Sequence, residues 1–231
     1  MATAGQGGGF AAHLSRLPQR QALGDDVYEA IKGLVMDHVI VPGARVSIDG
    51  LARDLQVSQT PVREALARLE ADGLLTKAPL RGYSTTPLLT RDELEDLFGL
   101  RLLLEPWGAA RAAQQSGPAD LQRLRDEVAS VGEAPDGGSY EHYKAMAVHD
   151  ARFHALMLEL AGNAAVRAAF ERTHCHMHMF RLHYGQGLGG QAIAEHQDIV
   201  GAVETGDAGL AEAAMRAHLL ASQARLMEVF A

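Results

Sequence analysis

From Ile48 to Tyr83 the chain reads IDGLARDLQVSQTPVREALARLEADGLLTKAPLRGY. Two short amphipathic helices flank a polar break. In the first, Ile48 to Leu55, the inward positions are Leu51, Ala52 and Leu55, and Gln56-Val57 makes the turn with Val57 as its buried anchor. The second is capped by Ser58 or Thr60 and accepts Pro61 in its first turn. It directs Val62, Leu66 and Leu69 to the core before Gly73 ends it. Leu74 to Ala78 and Tyr83 to Thr86 then pair as a small antiparallel hairpin with Pro79-Leu80-Arg81-Gly82 at its tip. This is the layout of a helix-turn-helix with a wing, which sets a helix N-terminus into the major groove of DNA.

A helix in that role must offer short polar groups and arginine on its first turns. Ser58, Gln59, Thr60 and Arg63 stand there. Ser58 and Thr60 suit phosphates or bases, Gln59 suits adenine and Arg63 suits guanine. Arg53, one helix earlier, is a phosphate clamp. Arg81 and Gly82 at the hairpin tip suit minor-groove entry, where a residue without a side chain permits close approach. The alternative reading is that Ser58 and Thr60 only cap the helix, while Arg63 and Arg68 pair with Glu64, Glu70 or Asp72 on a solvated face.

Upstream, the spacing of Val27, Ile31, Leu34, Val35 and His38 predicts a helix from Gln21 to Val39, ended by Val41-Pro42-Gly43. Residues 1–19 read as a disordered tail; Met1 to His13 is Gly/Ala-rich, with neither the basic start nor the apolar run of a signal peptide. Downstream, Pro87-Leu88-Leu89-Thr90 is a linker, and Thr90 with Glu93 forms a capping box. Helical segments are expected over 90–115, 118–132, 139–161, 163–184, 190–205 and 207–230, with Gly, Pro and Asn breaks between them. The fold class is therefore mostly α: a winged helix-turn-helix over 20–87, then an all-α helical bundle over 88–231.

With 231 residues and 47% apolar content, the chain can hold one or two domains, each with its own core. No apolar run is long enough to span a membrane. Cys175 is the sole cysteine, which excludes internal disulfides and points to a reducing cytoplasm. The net charge of −8 runs against nucleic-acid binding until it is divided. Residues 1–89 carry nine Lys/Arg and nine Asp/Glu, and residues 90–231 carry twelve against twenty. The acidity sits in the second half, so a DNA footprint must be a local face.

Nine of the eleven histidines lie between His142 and His218. Asp150 and His154, at i and i+4, share one helical face. With His196 and His218 they make one carboxylate and three imidazoles, a competent set for a divalent transition metal such as Zn, Ni or Mn. Spacing alone equally allows buried, hydrogen-bonded histidines. In His174-Cys175-His176-Met177-His178, the run is either pocket-lining or one inward histidine with two exposed ones, and Cys175 is a packing thiol. Trp107 packs in the bundle or at a subunit contact.

The segment Leu51 to Leu69, with Val57-Ser58-Gln59-Thr60-Pro61-Val62-Arg63-Glu64-Ala65-Leu66, resembles the winged-helix domain of GntR-family bacterial transcription regulators. Those proteins usually carry arginine where this chain has Gln59, which leaves the operator sequence open. Residues from about Asp92 to Met227 are similar to the FadR-type C-terminal domain, FCD, of that family. The matching pieces are Leu100-Arg101 with Glu105, Asp150 with Phe153-His154, Gly162-Asn163, Glu195-His196, and Gly206-Asp207 with His218. The resemblance implies Asp150, His154, His196 and His218 as metal ligands, and a small carboxylate effector that completes the coordination. It implies Arg101 as the effector's guanidinium partner; an Arg101–Glu105 helix pair is the alternative. Asn163, Arg181 and Tyr184 are further pocket candidates.

The expected function is a cytoplasmic, ligand-responsive repressor that binds an inverted-repeat double-stranded DNA operator as a homodimer, with no membrane role and no catalysis. The helix over 90–115 would serve as its lever. The competing reading is a metal-dependent enzyme acting on a small organic acid, fused to a DNA-binding head. It needs an open metal position beside a base, and no residue obviously fills that base role.

Overall fold

The computed structural model describes residues 18–132, 139–182 and 188–231. Helix α1 (Pro18–Met36) lays Val27, Ile31 and Val35 against α3 (Gln59–Ala71), whose Val62, Leu66 and Leu69 are wholly buried. Between them Ser47 caps α2 (Ile48–Asp54) by accepting from the Gly50 amide. The turn into α3 passes through Gln56 at φ 55°. Gly73, at φ 75°, closes α3 and releases the chain toward the wing, a conformation glycine adopts without steric cost. Tyr28 Oη donates to Asp72 Oδ2 at 2.5 Å, tying α1 to the end of α3.

The wing is larger than a hairpin. Strands β2 (Leu75–Ala78) and β3 (Gly82–Thr85) pair antiparallel with Lys77 opposite Tyr83, and β1 (Arg45–Val46) adds to the other edge of β3. Two residues show no periodicity of their own; pairing with β3 makes them a strand. The end of α1 also differs from the sequence expectation. His38 sits at φ 57°, outside the right-handed helical region, so the helix stops at Met36 and His38 belongs to the turn.

In the second half, α4 (Arg91–Gln115) begins at the expected capping box: Thr90 accepts from the Glu93 amide, and Glu93 accepts from the Thr90 amide. It runs along α10 (Ala208–Met227). The helices α5 (Pro118–Ala129), α6 (Tyr140–Leu160) and α9 (Leu188–Glu204) close the core around Phe153, Met157, Ile199, Met215 and Leu219. Gly108 marks the close approach of α4 to α6: a Cβ there would lie 2.6 Å from Leu158 Cδ2. The segment expected as one helix over 163–184 is two, α7 (Ala164–Glu171) and α8 (Cys175–Leu182), broken at His174 with φ 47°. A 3-10 turn, Glu228–Phe230, closes the chain. Among the described residues no helix is long and apolar enough to cross a membrane. The tail expectation for 1–19 falls, through residue 17, outside the described residues.

The two halves share packing. Tyr140 of α6 with Met177 and Phe180 of α8 join the apolar core of α1 to α3. The Tyr140 amide donates to Asp37 Oδ1 at 2.6 Å, and Lys144 Nζ pairs with Glu29 at 2.7 Å.

Candidate functional site

Helices α6, α9 and α10 each contribute imidazoles to one buried point. Nitrogen atoms of His154, His196 and His218 lie within 4.8 Å of one another. Asp150, one turn before His154 on α6, turns Oδ1 toward them, 3.5 Å from His196 Nε2 and 3.8 Å from His154 Nε2. The four residues named from sequence are thus gathered in space, and all are buried.

The hydrogen bonds around the rings decide which nitrogen faces inward. His218 Nδ1 donates to Glu195 at 2.7 Å, and His154 Nδ1 contacts Glu105 Oε2. A carboxylate only accepts, so each Nδ1 carries the proton and each Nε2 is left as an acceptor, that of His154 with Arg101 Nη2 3.4 Å away. For His196 the same logic runs through one more ring. Glu127 accepts from His149 Nδ1 at 3.1 Å, so His149 Nε2 accepts, and His196 Nδ1 donates to it at 2.9 Å. His196 Nε2 is then bare, and it is buried without a hydrogen-bond partner. Imidazoles oriented by outer carboxylates are how proteins present nitrogen to a metal ion. A bare buried nitrogen beside a carboxylate oxygen fits a divalent cation.

The protonation states agree with this chemistry. Burial, with the Arg101 charge nearby, holds His154 well below the usual imidazole range, and burial pushes His196 down to about 3. Both are neutral near pH 7, the form that ligates. Burial opposes ionisation of Asp150, but the charge and hydrogen bond of His176, helped by His154 and His196, override it and hold the carboxyl well below its ordinary value.

Arg101 on α4 is 1% exposed. Its Nε donates to Glu105 Oε1 at 2.5 Å, and its Nη2 lies 3.4 Å from His154 Nε2. The helix pair with Glu105 is therefore real, and it places the guanidinium beside the imidazole cluster. The other effector candidates go elsewhere. Asn163 is exposed and caps α7, its Oδ1 accepting from the Ala165 and Val166 amides. Arg181 turns to the linker, donating to Thr86 Oγ1 at 2.7 Å and to the Thr86 carbonyl at 2.9 Å. Tyr184 lies outside the described residues.

Within the His174 to His178 run, His176 is the inward residue: its Nδ1 donates to Asp150 Oδ2 at 2.6 Å. Sequence reasoning missed Glu105, Glu127, His149 and Glu195 as the outer partners. Their signal is tertiary, since Glu127 and His149 lie on different helices and meet only through packing.

In the winged helix-turn-helix, the expected DNA-contact residues Arg53, Ser58, Gln59, Thr60, Arg63 and Arg81 are exposed. Ser58 occupies the N-cap of α3 without a side-chain cap bond, so its hydroxyl is not committed to the helix. Gln59 Nε2 donates to Asp49 Oδ1 at 2.5 Å while its Oε1 accepts from Arg63 Nη2 at 2.9 Å. That chain splints Arg63 at the helix mouth. Gly82 at φ 79° forms the wing turn, next to Leu80, which is fully exposed at its tip.

Comparison with known proteins agrees with both halves. Residues 23–84 match the bacterial regulatory proteins of the gntR family, and residues 96–221 match the FCD domain. An uncharacterised HTH-type transcriptional regulator from Streptomyces ambofaciens is 30% identical over 199 residues, 85% of this chain and 81% of that protein. LutR, an HTH-type transcriptional regulator of Bacillus subtilis, is 28% identical over 80% of this chain and 93% of its own length. The structure of McbR/YncC from Escherichia coli superimposes with a TM-score of 0.66 at 21% identity, covering 90% of this chain and 99% of that one. These matches assign the chain to transcription control and not to catalysis, which sets aside the enzyme reading. The protein is a DNA-binding transcriptional regulator that belongs to the GntR family and carries an FCD domain behind its winged helix-turn-helix.

Proposed function

We propose that the chain is a repressor whose hold on its operator is set by a small carboxylate bound at a metal centre made by Asp150, His154, His196 and His218. The observation that carries this reading is the gathering of ring nitrogens of His154, His196 and His218 within 4.8 Å of one another, with Asp150 Oδ1 3.5 Å from an unpartnered His196 Nε2. A Zn, Ni or Mn ion held there supplies a Lewis-acidic position for a carboxylate oxygen. Arg101, buried at the same point, contributes the fixed positive charge that such an anion needs.

The reading head, residues 20–87, inserts the start of α3 into the major groove through Ser58, Gln59, Thr60 and Arg63. Arg53 holds phosphate, and Arg81 with Gly82 enters the minor groove. The domain over 88–231 holds effector and metal and joins two copies, so that the operator is an inverted repeat. Leu103 and Trp107, one turn apart and both exposed on α4, support a dimer contact on that face. A duplex partner places the protein in the cytoplasm.

The test is fluorescence anisotropy of the purified protein with duplexes from around its own coding region, with and without metal and a panel of di- and tricarboxylates. Saturable binding whose affinity changes when metal and acid are added together supports the reading. Binding indifferent to both additions overturns the regulatory part, and no binding at low ionic strength overturns the whole.

A further inference from the structure

Helix α8 touches the histidine cluster at one end and the reading head at the other. At its start, His176 holds Asp150 Oδ2 at 2.6 Å, while Oδ1 of the same carboxylate faces His154 and His196. His176 thereby fixes which carboxylate oxygen points to the cluster. At its end, Arg181 grips the linker through the hydroxyl and carbonyl of Thr86. The Thr86 hydroxyl lies 3.2 Å from the Gly73 carbonyl and 3.1 Å from that of Leu74, just past the recognition helix. Between these ends, Met177 and Phe180 pack into the core of α1 to α3. His174 and His178 crowd Gly73, where a Cβ would lie 3.2 Å from His174 Cδ2 and 3.3 Å from His178 Nε2.

The Arg181 grip is costly. The side chain is 1% exposed, its Nε has no partner, and among the described residues no carboxylate lies within ion-pair distance. A buried cation held only by neutral acceptors sits close to release, because its lost hydration is repaid in part. A contact with that balance suits an element with two arrangements.

We propose that α8 is the coupling element of this regulator: His176 reads what occupies Asp150, and Arg181 passes the displacement through Thr86 to the C-terminal end of the recognition helix. The proposal rests on the metal reading above and deepens it. An ion drawing on Asp150 Oδ1 changes the carboxylate that His176 holds. Because α8 is packed at both ends, a shift at His176 moves Arg181 as well.

The test is hydrogen exchange by mass spectrometry on the full chain, with zinc, nickel or manganese added alone and the metal stoichiometry measured in parallel. In the wild type, metal binding is expected to change exchange in α8, in residues 84–90 and at the last turn of α3. In Arg181→Met, metal still binds, α8 still responds, and the change at 84–90 and α3 disappears. His176→Leu loses the same distal change, and His176→Asn, which keeps an N–H for Oδ2, recovers part of it. If circular dichroism shows Arg181→Met unfolded, Thr86→Val replaces it with the same expectation. A distal change that persists in Arg181→Met or His176→Leu overturns the proposal, as does bound metal with no distal change in the wild type. A wild type that binds none of the three metals brings down the metal reading itself, and the stoichiometry tells the two failures apart.

Discussion

His196 Nε2 faces Asp150 Oδ1 across 3.5 Å and has no hydrogen-bond partner. Among the described residues nothing else repays the burial of that nitrogen, and the pair fits the cation proposed above. His196→Ala is expected to reduce bound metal from about one ion per chain to a small fraction, since a four-ligand set loses one member. Elemental analysis of purified wild type and variant checks this, and full occupancy in the variant would remove His196 from the ligand set.

The outer carboxylates matter as well. Glu195 accepts from His218 Nδ1 and from both Nη atoms of Arg225, and although burial opposes it, these contacts lower its pKa to about 2. Glu195→Gln keeps the shape but weakens the acceptor that fixes the His218 tautomer. Metal affinity should fall about 10–100-fold, by competition titration, with little change in melting temperature. An unchanged affinity would mean that the ring needs no such partner.

Protonation sets a pH profile for the protein in excess chelator. His154 and His196 have folded pKa values below the unfolded value near 6.5, His196 at about 3. Their folded neutral forms cost nothing above pH 6.5, and stability is lost as pH falls below it, by up to about 1.4 kcal/mol per pH unit for each proton. His176 runs the other way: burial opposes its charge, but Cys175 and Asp150 raise it to about 10. Cys175, against its own burial, is in turn lowered by His176 and offsets that linkage above pH 6.5. Urea melts should therefore show stability falling as pH is lowered from 6.5 toward 4.5. A profile that is flat or rising over that range contradicts this balance.

At the other end of the molecule, Arg63 is splinted by Gln59, which is itself held by Asp49. Arg63→Ala should cost roughly 1–3 kcal/mol of operator affinity and relax discrimination at one base position. Anisotropy titrations with the operator and single-base variants measure both. Equal affinity in the variant would assign Arg63 to the solvated face and not to the groove.

Much of the reading head was legible along the chain because its signals are local. Val62, Leu66 and Leu69 repeat at helical spacing and all prove wholly buried, and Gly73 ends the helix where a positive φ is required. Strand β1 was not legible, since Arg45 and Val46 become a strand only by pairing with Ser84 and Tyr83. The break at His174 was hidden too, because a non-glycine residue at φ 47° has no signature in composition.

By itself the sequence determined the order of the main helices and the polar mouth of α3, while Asp150, His154, His196 and His218 were singled out as a ligand set only through the family resemblance. Periodicity, caps and residue chemistry are properties of neighbours in the chain. Only the tertiary structure decided that Glu105, His149 and Glu195 aim those imidazoles, that Asn163 and Arg181 leave the pocket, and that α8 joins the cluster to the reading head. Hydrogen bonds between distant helices depend on how whole faces pack, and no short window of residues carries that information.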